Sequence, residues 1–498
     1  MKFNYRNIKF IIAMVVVCFI FYYFMLPPLN LTCPFFWVYT LLMAFIVGVS
    51  YEISNLLYRK NIIGKKETKK RTIIIYSVIP VIIILLGIIN FILSPIFNSK
   101  SYANRITINE DSSFVEDIQE VDFSKLPLLD KNSSQKLGDR VMGQMTDLVS
   151  QYRVSDLYTQ INYNNDIVRV TPLEYANVIK YFTNRSRGIE GYITVNSVNG
   201  KANLIRLKKG MKYMPSALFS KDLYRKLRFD YPTEIFDKES FEIDNDGNPY
   251  WIIPTVKYKG IGIKKDITGV IILDPISGKS SKHNINSIPS WVDHVYSANL
   301  LINQVNDWGK YKNGFFNSIF GQKGVIATTE GYNYTVMNDD VYLYTGITSV
   351  ANDESNIGFI MSNLRTKETK FYEVSGAEEY SAMASAEGQV QQMNYRSTFP
   401  LLINLKGKPT YLMSLKDNAG LVKMYAFVDV QDYQKVSVTD SKDGIIKAAQ
   451  NYLGTEEINS DIDFKNVEIT INSIKEVIID GNTYYYFTDT ENNKYKAS

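Results

Sequence analysis

Three runs without a charged residue open the chain and limit what it can become: "FIIAMVVVCFIFYYFML" after Lys9, Phe35–Tyr51 and Thr72–Phe97. A hydrocarbon layer about 30 Å thick is crossed by roughly 20 helical residues. In lipid the backbone must close its own hydrogen bonds, so such runs fold as helices. The sequence therefore predicts three N-terminal transmembrane helices over residues 1–97, the third kinked at Pro80. The basic residues set an orientation. Segment 58–71, "YRKNIIGKKETKKR", holds Arg59, Lys60, Lys65, Lys66, Lys69, Lys70 and Arg71, and the N-terminus holds Lys2, Arg6 and Lys9. The connection "LPPLNLTCP" holds none. Positive charge stays on the cytoplasmic side. The expectation is a cell-membrane protein with a cytoplasmic N-terminus and everything after Phe97 extracytoplasmic. The runs contain no Asp, Lys or Arg of the kind that line transport pathways, which makes them an anchor.

The chain has 498 residues, too many for one core, and its 45% hydrophobic and 21% charged residues describe a globular protein. The net charge is +4, while residues 1–97 carry ten basic and two acidic residues, so the remainder is close to −4. That balance lacks the concentrated basic face that nucleic acid requires. The expected partners are the bilayer and an envelope protein or a second copy of the chain. The two cysteines, Cys18 and Cys33, both fall in the apolar region, so residues 34–498 form no disulfide among themselves. Cys33 is expected to be buried in the membrane.

Beyond the anchor, residues 98–135 are polar and read as a stalk. A segment then recurs. "IEGYITVNSVNGKANLIRL" (189–207), "ITGVIILDPISGKSSKHNI" (267–285) and "NIGFIMSNLRTKETKFYEV" (356–374) align on Gly191, Gly269 and Gly358. Each reads as strand, tight turn, strand, with Gly200 and Gly278 supplying the positive φ of the turn and Lys367 in their place in the third copy. Helical spacing follows each hairpin, at 216–229, 291–311 and 376–393. Another hairpin-like pair (420–438) precedes a short helix at 444–454. The expected ectodomain is α+β, with tandem units of one helix laid on one antiparallel sheet at 136–240, 241–340 and 341–454. A β-rich, OB-like segment follows at 455–498.

The stretch "GVIILDPISGKSSKHNI" resembles the second hairpin of PepSY-like domains, small extracytoplasmic modules, and "GYITVNSVNGKANLIRL" carries the same pattern with Asn196 where an Asp is usual. The resemblance implies PepSY/cystatin-like units in a binding or regulatory module, one that acts on an envelope peptidase. It carries over no catalytic residue and no cofactor.

A search for chemistry gives little. His283 and His294 share no metal spacing. His294 beside Asp293 is the one evident base, and its surroundings read as a helix surface. Ser133-Ser134-Gln135-Lys136 spells S-x-x-K but also reads as a helix N-terminus. Glu242, Asp244 and Asp246 alternate as in a calcium loop, but Ile253 stands where an EF-hand needs an acid, so a hairpin turn is the plainer reading. Trp251, Trp291 and Trp308 read mainly as core. The Ala-, Ser- and Gln-rich segment 375–400 is unusual for a core helix, and Tyr380, Met383, Glu387, Gln389 and Gln392 are its candidate partner contacts. The expectation is a non-catalytic, polytopic extracytoplasmic binding or scaffold protein without cofactor or metal. A PepSY-like peptidase regulator and an extracytoplasmic hydrolase are the alternatives.

Overall fold

The computed structural model describes residues 5–59, 65–337, 340–349, 352–454, 470–479, 482–490 and 494–497. The chain forms two compact units, residues 1–456 and 457–498. The larger is built on four antiparallel meanders, here sheets I to IV. In each, the first strand is broken in two and both halves pair with the same second strand. Sheet I has Tyr152–Val154 and Thr159–Tyr163, then Asp166–Tyr175, Ile189–Asn196 and Ala202–Met211. Sheet II has Ile235–Phe236 and Ser240–Ile243, then Pro249–Lys257, Asp266–Leu273 and Ser280–Asn284. Sheet III has Ile326–Thr328 and Asn333–Met337, then Asp340–Ser349, Asn352–Asn363 and Thr369–Tyr372. Sheet IV has Arg396–Ser397 and Leu401–Leu405, then Lys408–Lys416, Val422–Asp429 and Val436–Asp440.

The three recurring hairpins are thus the third and fourth strands of sheets I to III, and 422–440 is the fourth copy. Local chemistry fixes each turn. Asn196, Asp274, Asn363 and Asp429 each accept backbone N–H bonds from residues two or three places on. Four residues after Asn196, Asp274 and Asn363 stand Gly200 (φ 73°), Gly278 (φ 77°) and Lys367 (φ 69°). A left-handed conformation costs a non-glycine residue about 1–2 kcal/mol. The Lys367 ammonium offsets this cost by reaching the Arg105 carbonyl at 2.7 Å and Asp266 at 2.8 Å.

Period-2 alternation gives each strand two apolar faces, and sheet covers sheet. Ile161, Val170 and Ile193 of sheet I meet Phe241, Trp251, Ile253 and Ile271 of sheet II. The other face of sheet II, Ile252, Val270 and Ile272, meets Val341, Leu343 and Ile360 of sheet III, joined by Leu301 and Val305 of the Ala298–Tyr311 helix. The other face of sheet III, Tyr344, Phe359 and Met361, meets Tyr411, Met413 and Val428 of sheet IV. The expected helix-on-sheet units are therefore corrected. The repeat is sheet-rich, stacked in the manner of propeller blades, and three of its four joints are dry. The inner halves of the first strands approach one another, as where Phe241 N–H donates to Thr159 Oγ1 at 3.3 Å.

The three-span anchor is corrected too. Helices α1 (Tyr5–Met25), α2 (Pro34–Arg59) and α3 (Lys65–Ile92) are present. Among the described residues, however, only Pro34–Ser54 is long and apolar enough to cross a membrane by itself. Lys9–Met25 is shorter, and Ile79–Ile92 qualifies only together with α4 (Pro95–Ala103), across a 56° bend. α3 continues through Pro80, and the bend comes at its end. The basic segment is mostly helical: Arg59 closes α2, while Lys65, Lys66, Lys69, Lys70 and Arg71 lie in the first turns of α3. Lys60 falls outside the described residues.

Residues 98–135 pack onto the sheets rather than standing free. Ile108–Ser112 pairs in parallel with Thr369–Tyr372, and Phe114 and Ile118 enter the III–IV core. Val121 N–H donates to the Asn404 carbonyl, and Leu129 N–H to the Ser197 carbonyl. The segment is a strap that runs from sheet III past sheet IV to sheet I. Cys33, expected to be buried among membrane lipids, is buried against the protein's own II–III core. In the smaller unit, Ile471–Ile479, Asn482–Asp489 and Lys494–Ala497 form a three-stranded meander. Asp480 and Gly481 lie outside the described residues.

Candidate functional site

The fourth joint, between sheets IV and I, differs from the other three. The helix Lys131–Gly143 occupies it and packs on sheet I, where Gly138 makes room for the Tyr158 hydroxyl. The N-terminus of this helix faces sheet IV across a cleft of about 560 Å³ lined by Asp130, Ser133, Asp139, Asp156, Arg396 and Lys416 among others. Asp130 caps the helix, accepting from Ser133 N–H at 2.9 Å and from Lys416 Nζ at 2.5 Å. Burial alone would raise the Asp130 pKa. The Lys416 and Ser133 hydrogen bonds outweigh it and hold the carboxyl below its ordinary value.

The S-x-x-K segment therefore lies in the cleft but not as a nucleophile pair. Lys136 turns away to the Ala419 carbonyl. Ser133 Oγ instead accepts from Lys416 Nζ at 2.8 Å. Lys416 Nζ thus donates to both Asp130 and Ser133, and neither lysine is set to take the Ser133 proton.

A second cavity of about 410 Å³ adjoins the cleft and shares Asp130, Asn132, Tyr158 and Thr398 with it. It sits where the four broken strands converge. Leu157 and Tyr158, Lys238, Tyr332, and Thr398 and Phe399 come from the interruptions in sheets I, II, III and IV respectively. Its walls include Arg169, Tyr334 and Ser414. Arg169 lies on the second strand of sheet I, paired with Gln160 and Val195. Sequence reasoning missed it, although a charge inside the apolar run "IVRVTPL" was the available signal.

The other candidates are dispersed. Asp293 and His294 lie in a loop before the Ala298–Tyr311 helix, not on a helix surface. His294 Nε2 contacts the Gln160 carbonyl at 2.7 Å. Glu242 points away from the supposed calcium loop and accepts from Asp293 N–H at 2.8 Å, His294 N–H at 3.2 Å and Ser240 Oγ at 2.6 Å. Burial, then the Glu242 charge, pushes the Asp293 carboxyl well up. Asp244 instead closes a hairpin turn, accepting from Asp246 and Asn248 N–H. Of the Ala-rich segment, Glu387 accepts from Arg396 and Ser397 at the edge of the cleft. Met383 packs into the III–IV core. Tyr380, Gln389 and Gln392 are exposed.

No family model matches the chain, and no curated protein matches it. Among solved structures it is similar to an alpha-L-arabinofuranosidase from Lactobacillus brevis, with 9% identity over 67% of this chain and 85% of that one and a TM-score of 0.15. It is also similar to a Synechocystis apocarotenoid oxygenase mutant, with 7% identity over 59% of this chain and a TM-score of 0.13. The chain spans 47% of that oxygenase. These neighbours are enzymes, and the expectation of a chain without catalytic activity is set aside. At such TM-scores the likeness carries no argument about this chain's own chemistry.

Proposed function

We propose that the chain is a membrane-attached binding protein of the cell envelope that holds its ligand in the joint between sheets IV and I. One observation carries the reading: three equivalent joints are filled by apolar side chains, and the fourth is an open cleft with polar walls. Volumes of this size suit small-molecule and peptide-terminus sites. Membrane attachment is supported by the helices. Phe19, Val38, Phe45, Ile84 and Phe91 are exposed on α1 to α3, and isolated soluble units seldom expose so much apolar surface. Near their ends the same helices meet the folded unit. Leu29 N–H donates to the Pro232 carbonyl, Arg228 to the Leu26 carbonyl at 3.0 Å, and Asn90 exchanges two hydrogen bonds with Ile261. With basic residues at the far end of α2, the positive-inside rule supports a reading in which the sheets lie outside the cytoplasm.

The test is photo-crosslinking in intact cells. A photoreactive residue in place of Asn132 in the cleft is compared with one in place of Tyr433, an exposed turn residue of sheet IV. Specific adducts at position 132 alone are expected. Equal labelling at both positions, or none at 132, removes the cleft as the binding surface.

A further inference from the structure

Arg169 is 8% exposed, yet it lines the cavity at the convergence of the four sheets. Among the described residues its side chain's one hydrogen bond is a long contact, 3.5 Å from the guanidinium to the Leu129 carbonyl. Its Nε has no partner, and it forms no ion pair with a carboxylate among those residues. Asp130 is the acid whose charge reaches it most strongly, but that carboxylate is already engaged by Lys416 and Ser133. Burial lowers the Arg169 pKa to about 10, which leaves it charged at neutral pH. A buried charge without a counter-ion is a costly arrangement that folded chains avoid unless something supplies the partner. The same wall holds Ser414, whose buried hydroxyl also lacks a partner. Lys238 adds a second cation at the exposed rim, while Tyr332, Tyr334 and Phe399 provide flat apolar walls.

We propose that this cavity binds an oxyanion, the carboxylate or phosphate of a small ligand, with Arg169 as its counter-charge and the aromatic walls holding the ligand's apolar body. The proposal rests on the reading of this joint as a binding site and names the chemical class bound there. A guanidinium offers two parallel N–H donors that match the paired oxygens of either group. Ser414 and Lys238 are placed to supply further donors.

Thermal unfolding of the full chain in detergent, with sodium phosphate or sodium acetate against sodium chloride at matched ionic strength, tests it. A ligand that binds only the folded state raises Tm progressively with concentration. The expected result is a rise with at least one oxyanion beyond that with chloride, and the two arms separate phosphate from carboxylate. Arg169→Met should match or exceed the parent Tm without ligand, because it removes an uncompensated charge, and should lose the oxyanion response. Arg169→Lys should weaken the response at least tenfold, and Lys238→Ala severalfold. No rise beyond chloride, or an unchanged response in Arg169→Met, overturns the proposal; should that variant fail to fold, an unchanged response in both Arg169→Lys and Lys238→Ala does so. Crosslinking at position 132 without an oxyanion response would keep the cleft as a binding surface and remove Arg169 from it.

Discussion

The joint between sheets III and IV and the joint between sheets IV and I are built from the same kind of meander and have opposite characters. In the first, Tyr344, Phe359 and Met361 meet Tyr411, Met413 and Val428, all buried. In the second, a helix that begins Lys131-Asn132-Ser133-Ser134 stands between the sheets, and its neighbours are Lys416, Arg396 and Asp417. Both sheets bordering the open joint pack against another sheet, I on II and IV on III, so neither relies on that joint alone for burial. An apolar face makes a joint, and a polar face at the equivalent place makes a cleft.

The largest effect should come from a dry joint. Trp251 is fully buried between sheets I and II and donates to the Tyr213 carbonyl at 3.0 Å. Trp251→Ala should cost about 3–5 kcal/mol in denaturant unfolding, in line with other large-to-small core substitutions. A loss under about 1 kcal/mol would mean that the I–II joint is no better packed than the cleft.

Next come two carboxyls whose pKa values move in opposite directions. Asp293, in the dry interior beside Glu242, has a raised pKa. The folded state therefore binds its proton more tightly than the unfolded chain. Its contribution is fully present below the unfolded value near 3.9 and is lost as pH rises toward the folded value. Asp130, in the cleft, has a lowered pKa. Its contribution is present above the unfolded value and is lost as pH falls below it. Asp293→Asn should raise Tm at pH 7 and flatten the decline on the alkaline side, whereas Asp130→Asn should lower Tm at pH 7 and make acid less damaging. Tm profiles between pH 3 and 8 with the same slope change in both variants would erase the contrast.

The smallest effect should come from the rim of the cleft. Arg396 is exposed and paired with Glu387 at 2.9 Å. Exposed pairs of this kind contribute little, so Arg396→Ala should move stability by no more than about 0.5 kcal/mol in denaturant unfolding. A larger loss would show that the edge of the cleft carries part of the fold's stability.

Much of the local structure was legible. Turn chemistry at Asn199-Gly200 and Ser277-Gly278 located two hairpins, and their common offset located the third despite Lys367. Alternation located the strands. Which face meets which neighbour was not legible, because a strand with two apolar faces looks the same whether a helix or another sheet covers it. The broken first strands were also hidden, since Tyr152–Val154 and Ile235–Phe236 are too short to show a period. Length misled at the N-terminus. Each apolar run was read as a span, the first two with help from their flanks, although among the described residues one is too short and another reaches the required length only across a bend. In the site, Ser133 drew attention through a motif, while the residues that meet it and the cavity beyond, Lys416 and Arg169, come from distant strands that nothing in a single sequence brings together.

The strap has a consequence for the order of assembly. The antiparallel meander of each sheet is drawn from one continuous stretch and can form as soon as that stretch is made. The strap is synthesised before any of the four, yet one of its anchor points, the hydrogen bond from Asn404 to the Ile118 carbonyl, joins residues 286 positions apart. Closure must wait for the last sheet, and contacts this remote in sequence form slowly. A growing chain that already carries three finished sheets therefore still has its first segment half-docked, and the cleft takes its final form only when the fourth arrives.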